Sequence, residues 1–335
     1  MDDYGTRYTD AKVREVRKRL DEVYRKAAKE IELKTQDFWR RHRIKDQIYR
    51  AQVARGQLDK EDYQAWMRGQ VFQGEQWKAK AEQIARTMTD ADKIAQRIVD
   101  GEKTNIFATN ANYIGYSLEK ELKANIGFGL YDSATVARLI KDEPDLLPAI
   151  NPEKIVEGED MRWYQKTVTQ SVTQGIIQGE SIQQIFERIA LTCMDRAENA
   201  AMRDARTAYT GAQNAGRVEA MRQSQTLGID VKKRWSATLD FKTRDTHREL
   251  DGQIVGVDSS FHSSEGSIAY PGDPTAEPAL IYNCRCTLGW YYPKYNNIPD
   301  RIDNTTDENI GKMTYKQWYD WKGGAVAEKA AKKKE

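Results

Sequence analysis

The sequence predicts an α+β fold: a predominantly helical N-terminal region, then further helices, then a small C-terminal α+β unit. Three observations carry this. Apolar residues recur at three- and four-residue steps through the first part of the chain, an alanine-rich run follows, and beyond Gly228 the pattern changes to short β-prone segments set between turn residues. At 335 residues, 39% hydrophobic and 31% charged, the chain is long enough for two domains or for one with a long extension.

The first element is a long helix from Tyr8 to about Arg50, with Thr9 or Asp10 as its N-cap. Val13, Val16, Leu20, Val23, Ala27 and Ile31 form its apolar stripe, which must pack against other helices or a partner subunit. Asp59 caps a second helix with Asp62 in its first turn, and Thr89 or Asp90 starts a third that Gly101 ends. From Asn105 to Gly129, small polar and aromatic residues surround a short helix; Pro144, Pro148 and Pro152 then mark irregular structure, with the best domain boundary near Asn151.

Residues 159–224 read as two or three helices. Trp163, Val168, Val172 and Ile176 or Ile177 line one side of the first, Gly179 stops it, and Ser181 caps "SIQQIFERIA". The alanine-rich "DRAENAAMRDARTAYTGAQNAGRVEAM" allows close helix contact, and its Arg203, Arg206 and Arg217 read as surface charge paired with Asp204 or Glu219. Val231, Trp235, Thr238 and Leu239 mark a strand, "RDTHRELDGQ" a helical turn ended by Gly252, and "IVGV" and "TLGWYY" two more short strands. The long loop "SSFHSSEGSIAYPGDPTAEPAL" lies between them, and loops of that length are usually functional or held by partners. "MTYKQWYDWK" is an amphipathic turn or two anchored by Trp318 and Trp321, before a basic, disordered tail. The resulting division is 1–150 as a helical assembly region, 151–295 as helices followed by the short-strand unit, and 296–335 as a short extension.

No window holds 18 consecutive apolar residues, and "DDYGTRYTDAK" is no signal peptide, so neither a membrane span nor secretion is expected. Cys193, Cys284 and Cys286 cannot make a disulfide framework, which suits a reducing cytoplasm. The net charge of +2 hides basic runs such as "REVRKRL" and "WRRHRIK". They can face polyanions, although charge runs on helices are ordinarily solvated faces.

Chemistry concentrates in "THRELDGQ" and "YNCRCTLGW". Cys284 and Cys286 share a face if extended, and with His247, and His262 or Asp251 beside it, they can complete a zinc site. The H-x-E of His247 and Glu249 matches half of a zinc deaminase signature, but "NCRC" lacks the proline and has one spacer residue where two are required. Thiol catalysis would use Cys284 or Cys286 as nucleophile, His247 as base and Asp251 as orienter. The structural reading is favoured over these: Asp240, Thr243 and Asp245 cap turns, Gly252 takes a positive φ, "YPGDP" is rigid, and His247 bridges helix and strand.

The ordered set "ENAAMRDARTAYTGAQNAGRVEAM", "WSATLDFKTRDTHRELDGQ", "YPGDP" and "NCRCTLGW" resembles the Mu F-like, or head-morphogenesis, class of phage minor head proteins over about residues 160–292. Arg206, Thr207, Asp240, Arg244, His247, Leu250, Asp251, Gly252, Pro271, Asn283, Cys284 and Cys286 occupy its motif positions. "YTDAKVREVRKRLDEVY" and "NYIGYSLEKEL" look like the version from tailed phages and prophages of Gram-positive bacteria. The resemblance implies a virion structural protein present in several copies, with the portal protein and the major capsid or scaffold proteins as partners. It also implies a role in head assembly and DNA packaging or ejection, and residence in the host cytoplasm during assembly; the basic runs fit contact with packaged double-stranded DNA. The resemblance implies no cofactor and no catalytic residue; the structural zinc at His247, Cys284 and Cys286 stays a reading of the residues themselves. The alternatives are a zinc-dependent nucleic-acid-modifying enzyme and a structural-zinc DNA-binding module. In some relatives such a domain precedes a toxin domain; about 40 residues follow "NCRCTLGWYY" here, which argues against an effector enzyme.

Overall fold

The computed structural model describes residues 3–72, 75–143, 146–147 and 158–333. The boundary expected near Asn151, with Pro144, Pro148 and Pro152, lies outside the described residues, as do the last two residues of the basic tail. The chain is 67% helical with small antiparallel sheets near the C-terminus, the α+β fold that the patterning predicts. Six helices precede the first strand among the described residues: α1 (Tyr4–Ala54), α2 (Lys60–Phe72), α3 (Glu75–Leu122), α4 (Ser133–Asp142), α5 (Glu159–Gln178) and α6 (Ile182–Thr226). There follow β1 (Lys232–Ser236), α7 (Asp245–Leu250), β2 (Ile254–Gly256), β3 (Phe261–Ser263), β4 (Gly266–Ile268), α8 (Pro278–Ile281), β5 (Thr287–Tyr291), α9 (Tyr315–Trp321) and α10 (Gly324–Lys332). They fold into two compact units, one of Met1–Val16, Val99–Ile150 and Arg203–Glu335, the other of Arg17–Ile98 and Asn151–Met202.

The second of these units is helical. Leu20, Tyr24, Ala27, Ile31, Thr35 and Phe38 are buried at three- and four-residue steps along α1, while Val23 is only half-buried. The stripe is covered from within the chain: Phe38 packs on Trp77 of α3 and Phe186 of α6 at ring distances of 5.7 and 5.8 Å. Each such side chain fully withdrawn from water contributes about 1.5–3 kcal/mol. The stripe packs against other helices of the chain, the first of the two alternatives expected for it. Tyr24 and Tyr164 donate to the two carboxylate oxygens of Asp92, each at 2.7 Å, joining α1, α3 and α5. Ser181 starts α6 with a reciprocal cap: its Oγ accepts from the Gln184 amide at 3.2 Å, and its own amide donates to Gln184 Oε1 at 2.8 Å. Val168, Val172 and Ile176 of α5 are buried as expected, whereas Trp163 and Ile177 face water.

Local stop signals are overridden where packing is continuous. α3 runs unbroken through Thr89, Asp90 and Gly101, and α6 runs unbroken through Cys193. The segment from Asn105, expected to be irregular, buries Ile106, Phe107, Ala111, Ile114 and Leu118 at helical spacing. At the start of α1, Asp3 rather than Thr9 or Asp10 is the capping side chain, accepting from the Thr6 amide at 2.8 Å. Thr9 instead lies inside the helix, its Oγ1 bonded to the Gly5 carbonyl. Much of the basic charge along α1 is paired on the helix itself, as in Arg25 with Asp21 and Lys26 with Glu22.

The other unit is built around a three-stranded antiparallel sheet in the order β2-β1-β5, with Trp235 opposite Leu288 and Arg234 opposite both Ile254 and Gly289. The long loop contains the β3-β4 hairpin, Phe261 opposite Ile268, and the short α8. The α6 residues 207–218 are all buried, and this helix meets α3 so closely that a Cβ on Gly216 would strike the carbonyl oxygen of Phe107. Trp318 of α9 is fully buried and packs on Phe241 at 4.9 Å between rings, whereas Trp321 is half exposed with the Lys322 ammonium 4.7 Å from its ring centre. Beyond it the tail continues as α10 to Lys332, where disorder was expected.

Candidate metal centre and the polar seam around it

α7 brings His247 to the segment that enters β5. A cap is made just upstream, where Asp240 Oδ1 accepts from the Lys242 amide at 3.0 Å and Thr243 Oγ1 donates to the Thr238 carbonyl at 2.6 Å. Gly252 ends the turn with φ 82° and donates its amide to the Trp235 carbonyl at 3.0 Å, tying α7 to β1. Leu250 is fully buried beneath it, and Trp235 meets the His247 ring edge-on at 5.8 Å. On the other side Asn283 takes φ 56°, a left-handed position that asparagine tolerates, and turns the chain so that Cys284 and Cys286 both point inward.

His247, Cys284 and Cys286 are each buried, with ligand atoms within 4.8 Å of one another. His247 Nδ1 lies 3.3 Å from Cys286 Sγ and 3.5 Å from Cys284 Sγ. The Cys286 amide donates to Cys284 Sγ at 3.3 Å. Arg244 Nη2 stands 3.1 Å from His247 Nε2, and since a guanidinium only donates, Nε2 accepts and Nδ1 is the protonated nitrogen facing the sulfurs. Burial pushes both thiols up. For Cys284 the hydrogen bonds from Cys286 and the charges of Arg244 and Arg285 outweigh burial and bring it below the ordinary thiol value, while burial and the adjacent Cys284 hold Cys286 well above it.

The other residues considered for this centre are directed elsewhere. His262 is exposed and its Nδ1 bonds Ser267 Oγ at 2.8 Å. Glu249 is exposed and accepts from the amide and hydroxyl of Ser264 at 2.8 and 3.0 Å, so the acid/base group of a deaminase does not face the cluster. Asp251 neither ligates with the cysteines nor orients His247. It accepts from the Ala237 amide at 2.8 Å, Arg301 Nη1 at 2.8 Å and the Tyr315 amide at 2.7 Å. Asp240 forms an ion pair with Arg285, the residue between the two cysteines.

What the sequence reading missed is a polar seam along α6. Arg206 Nη1 donates to Asn283 Oδ1 at 2.8 Å, Thr207 Oγ1 accepts from the Asn283 amide at 2.9 Å, and Thr210 Oγ1 donates to the Cys284 carbonyl at 2.8 Å. Gln213 Nε2 donates to Thr287 Oγ1 at 2.8 Å. Asn214 reaches the carbonyls of Pro271 and Cys286, both at 3.2 Å, and accepts from the Leu288 amide at 2.9 Å. Arg217, expected on the surface, is fully buried; it reaches the Leu288 carbonyl at 2.7 Å and the Asp3 carboxylate. One turn of α6 after another thus satisfies backbone groups of residues 283–288 that have no sheet partner on that side. The signal was present: polar residues at 206, 207, 210, 213, 214 and 217 recur at helical period among alanines and glycines.

Residues 166–289, which contain this seam and the cluster, match the family model described as Phage Mu protein F like protein. This match and the similarity below support a Mu F-like phage minor head protein. It is similar to minor head protein GP7 of Bacillus phage SPP1, 23% identical over 317 residues that cover 93% of this chain and 94% of that one. It is also similar to the NAD(+)–arginine ADP-ribosyltransferase EFV of Enterococcus faecalis, 32% identical over 165 residues, which are 47% of this chain and 32% of the enzyme. A third similarity is to the uncharacterized protein YqbB of Bacillus subtilis, 27% identical over 168 residues, 43% of this chain and 53% of that protein. No solved structure matches the chain significantly. The family supports a capsid structural role and a place in the virion. Among the described residues no helix is long and apolar enough to cross a membrane.

Proposed function

We infer that the chain is a minor head component at the portal vertex or in the capsid lumen, acting in head assembly and in DNA packaging or ejection. The observation that carries this is the extent of similarity to GP7, which spans 93% of this chain and 94% of that protein, so the helical region as well as the Mu F-like region is shared. In this reading residues 1–150 make assembly contacts and 151–295 form the Mu F-like module. The partners are the portal protein and the capsid or scaffold proteins, with several copies per particle. Exposed Lys18, Lys29 and Arg43 on α1 offer cationic contacts to packaged double-stranded DNA. Before incorporation the chain resides in the host cytoplasm.

The role is structural, without turnover. Two features support this: the cluster of His247, Cys284 and Cys286 is enclosed, and Glu249 is engaged by Ser264. The matched part of the ADP-ribosyltransferase is 32% of that enzyme. The test is mass spectrometry of purified procapsids and mature heads, with co-purification of the portal protein. Presence in mature heads, in a complex recovered with portal, is expected; absence from mature heads overturns the reading. Transfer of label from NAD(+) to arginine by the purified chain would overturn the non-enzymatic part.

A further inference from the structure

We propose that His247, Cys284 and Cys286 hold a zinc ion through Nδ1 and two thiolates, fastening α7 to the segment that enters β5. Zinc bonds of ~2.3 Å to sulfur and ~2.0–2.1 Å to nitrogen at a tetrahedral angle set nitrogen and sulfur ligands ~3.6 Å apart. The distances from Nδ1 to the two sulfurs are 3.3 and 3.5 Å, and all three ligand atoms lie within 4.8 Å of one another, so the donors already surround a space of the size one ion takes. Two thiolates with one imidazole form a soft donor set that suits zinc over magnesium or calcium. Together the thiolates neutralise the divalent charge, which removes the cost of burying an unbalanced ion.

The elements around the cluster hold it in shape without the ion. Asn283 at φ 56° and the Thr210 hydroxyl fix the backbone on either side of Cys284, and the Asn214 amide holds the Cys286 carbonyl. The Cys286 amide, donating to Cys284 Sγ at 3.3 Å, is suited to a thiolate that carries charge. Binding releases both thiol protons to solvent. The imidazole proton moves from Nδ1 to Nε2, and Arg244, an exposed side chain that now donates to Nε2, turns outward. The site is structural: it is enclosed, and the ion joins residues 37 and 39 positions apart in the sequence.

The test uses the full chain expressed in zinc-supplemented medium. Elemental analysis is expected to find about one zinc per chain, falling about tenfold or more in Cys286→Ser and in His247→Ala. Cys193→Ser serves as the control; Cys193 lies within α6, is not part of the cluster, and should leave zinc content unchanged. Cobalt loaded in place of zinc should give a thiolate-to-cobalt charge-transfer band and the visible spectrum of a tetrahedral ion. This readout needs only the unsubstituted chain, so it decides the question even if the variants do not fold. A zinc-free chain, zinc undiminished in both variants, or cobalt bound without the charge-transfer band would each overturn the site.

Discussion

Arg217 and Asp3, 214 residues apart in the chain, form an ion pair from which water is excluded: Nη2 lies 2.6 Å from Oδ1, with the two side chains 0% and 4% exposed. The same guanidinium donates to Asn110 Oδ1 at 3.0 Å and to the Leu288 carbonyl at 2.7 Å, so one side chain on α6 ties together the start of α1, the middle of α3 and β5.

Removing the guanidinium alone strands a buried carboxylate, so Arg217→Met should lower the free energy of unfolding by about 3–5 kcal/mol. Burial by itself would push Asp3 up, but Arg217 and the Thr6 amide hold its carboxyl below the ordinary value. The stability that this ionisation contributes is complete above the unfolded carboxylate value, at about pH 4, and is lost as pH falls through the lower folded value. Urea titrations at neutral and acid pH should therefore show the penalty of Asp3→Asn shrinking in acid. A penalty independent of pH would show that the charge of Asp3 contributes nothing.

Asn214 satisfies three backbone groups at once, the carbonyls of Pro271 and Cys286 and the amide of Leu288. Asn214→Ala leaves these buried groups without protein partners and should cost about 2 kcal/mol or more. Amide hydrogen exchange gives the local reading: the Leu288 amide should exchange faster in the variant, while the Thr6 amide, held by Asp3, should not. Unchanged exchange at Leu288 would remove Asn214 from the seam.

The parts of this fold that were legible in the sequence are those set by short-range chemistry. The Ser181 cap, the Gly179 stop and the Gly252 turn each depend on a few neighbouring residues, and each was read in place. The continuity of α3 and α6 was not legible, because packing decides it: Thr89 is a good capping residue by type but is buried inside α3, and Gly101 is tolerated there with open space around it. Arg217 was misread for a related reason. Its residue type announces charge, and the partner that permits its burial lies 214 positions away. His247, Cys284 and Cys286 could be named from their types, but that Glu249, His262 and Asp251 turn to other partners depended on side-chain directions that spacing does not encode.

Asp251 is one point at which the C-terminal extension is held. Its carboxylate accepts from Arg301 and the Tyr315 amide as well as from Ala237, and the Arg301 and Asp251 side chains are 1% and 2% exposed. Asp251→Asn removes the charge opposite a buried guanidinium and should destabilise by about 3–5 kcal/mol. Limited proteolysis followed by mass measurement should show cleavage after Tyr292 at protease concentrations that leave the unsubstituted chain intact. Equal resistance of both proteins would mean that other contacts, such as the Lys322 ion pair with Asp303, suffice to hold the extension.

Lys233 carries the opposite kind of strain. It lies in β1 at 1% exposure with its ammonium 5.4 Å from the Phe261 ring centre. Burial, helped by the nearby Arg222 charge, lowers its folded value to about 8 from an ordinary 10.5. Below the folded value the lysine is charged in both states, and the fold bears the cost of desolvating it. Between about 8 and 10.5 the unfolded chain keeps the proton that the folded chain has released, so stability should rise with pH across that window. Lys233→Met keeps the length of the side chain and removes the charge. It should raise the melting temperature at pH 7 and flatten the alkaline rise, provided that the cation-to-ring contact is worth less than the desolvation it accompanies. Thermal melts of both proteins from pH 7 to pH 10.5 check this, and a variant that melts lower at pH 7 would show that the ammonium stabilises the unit where it lies.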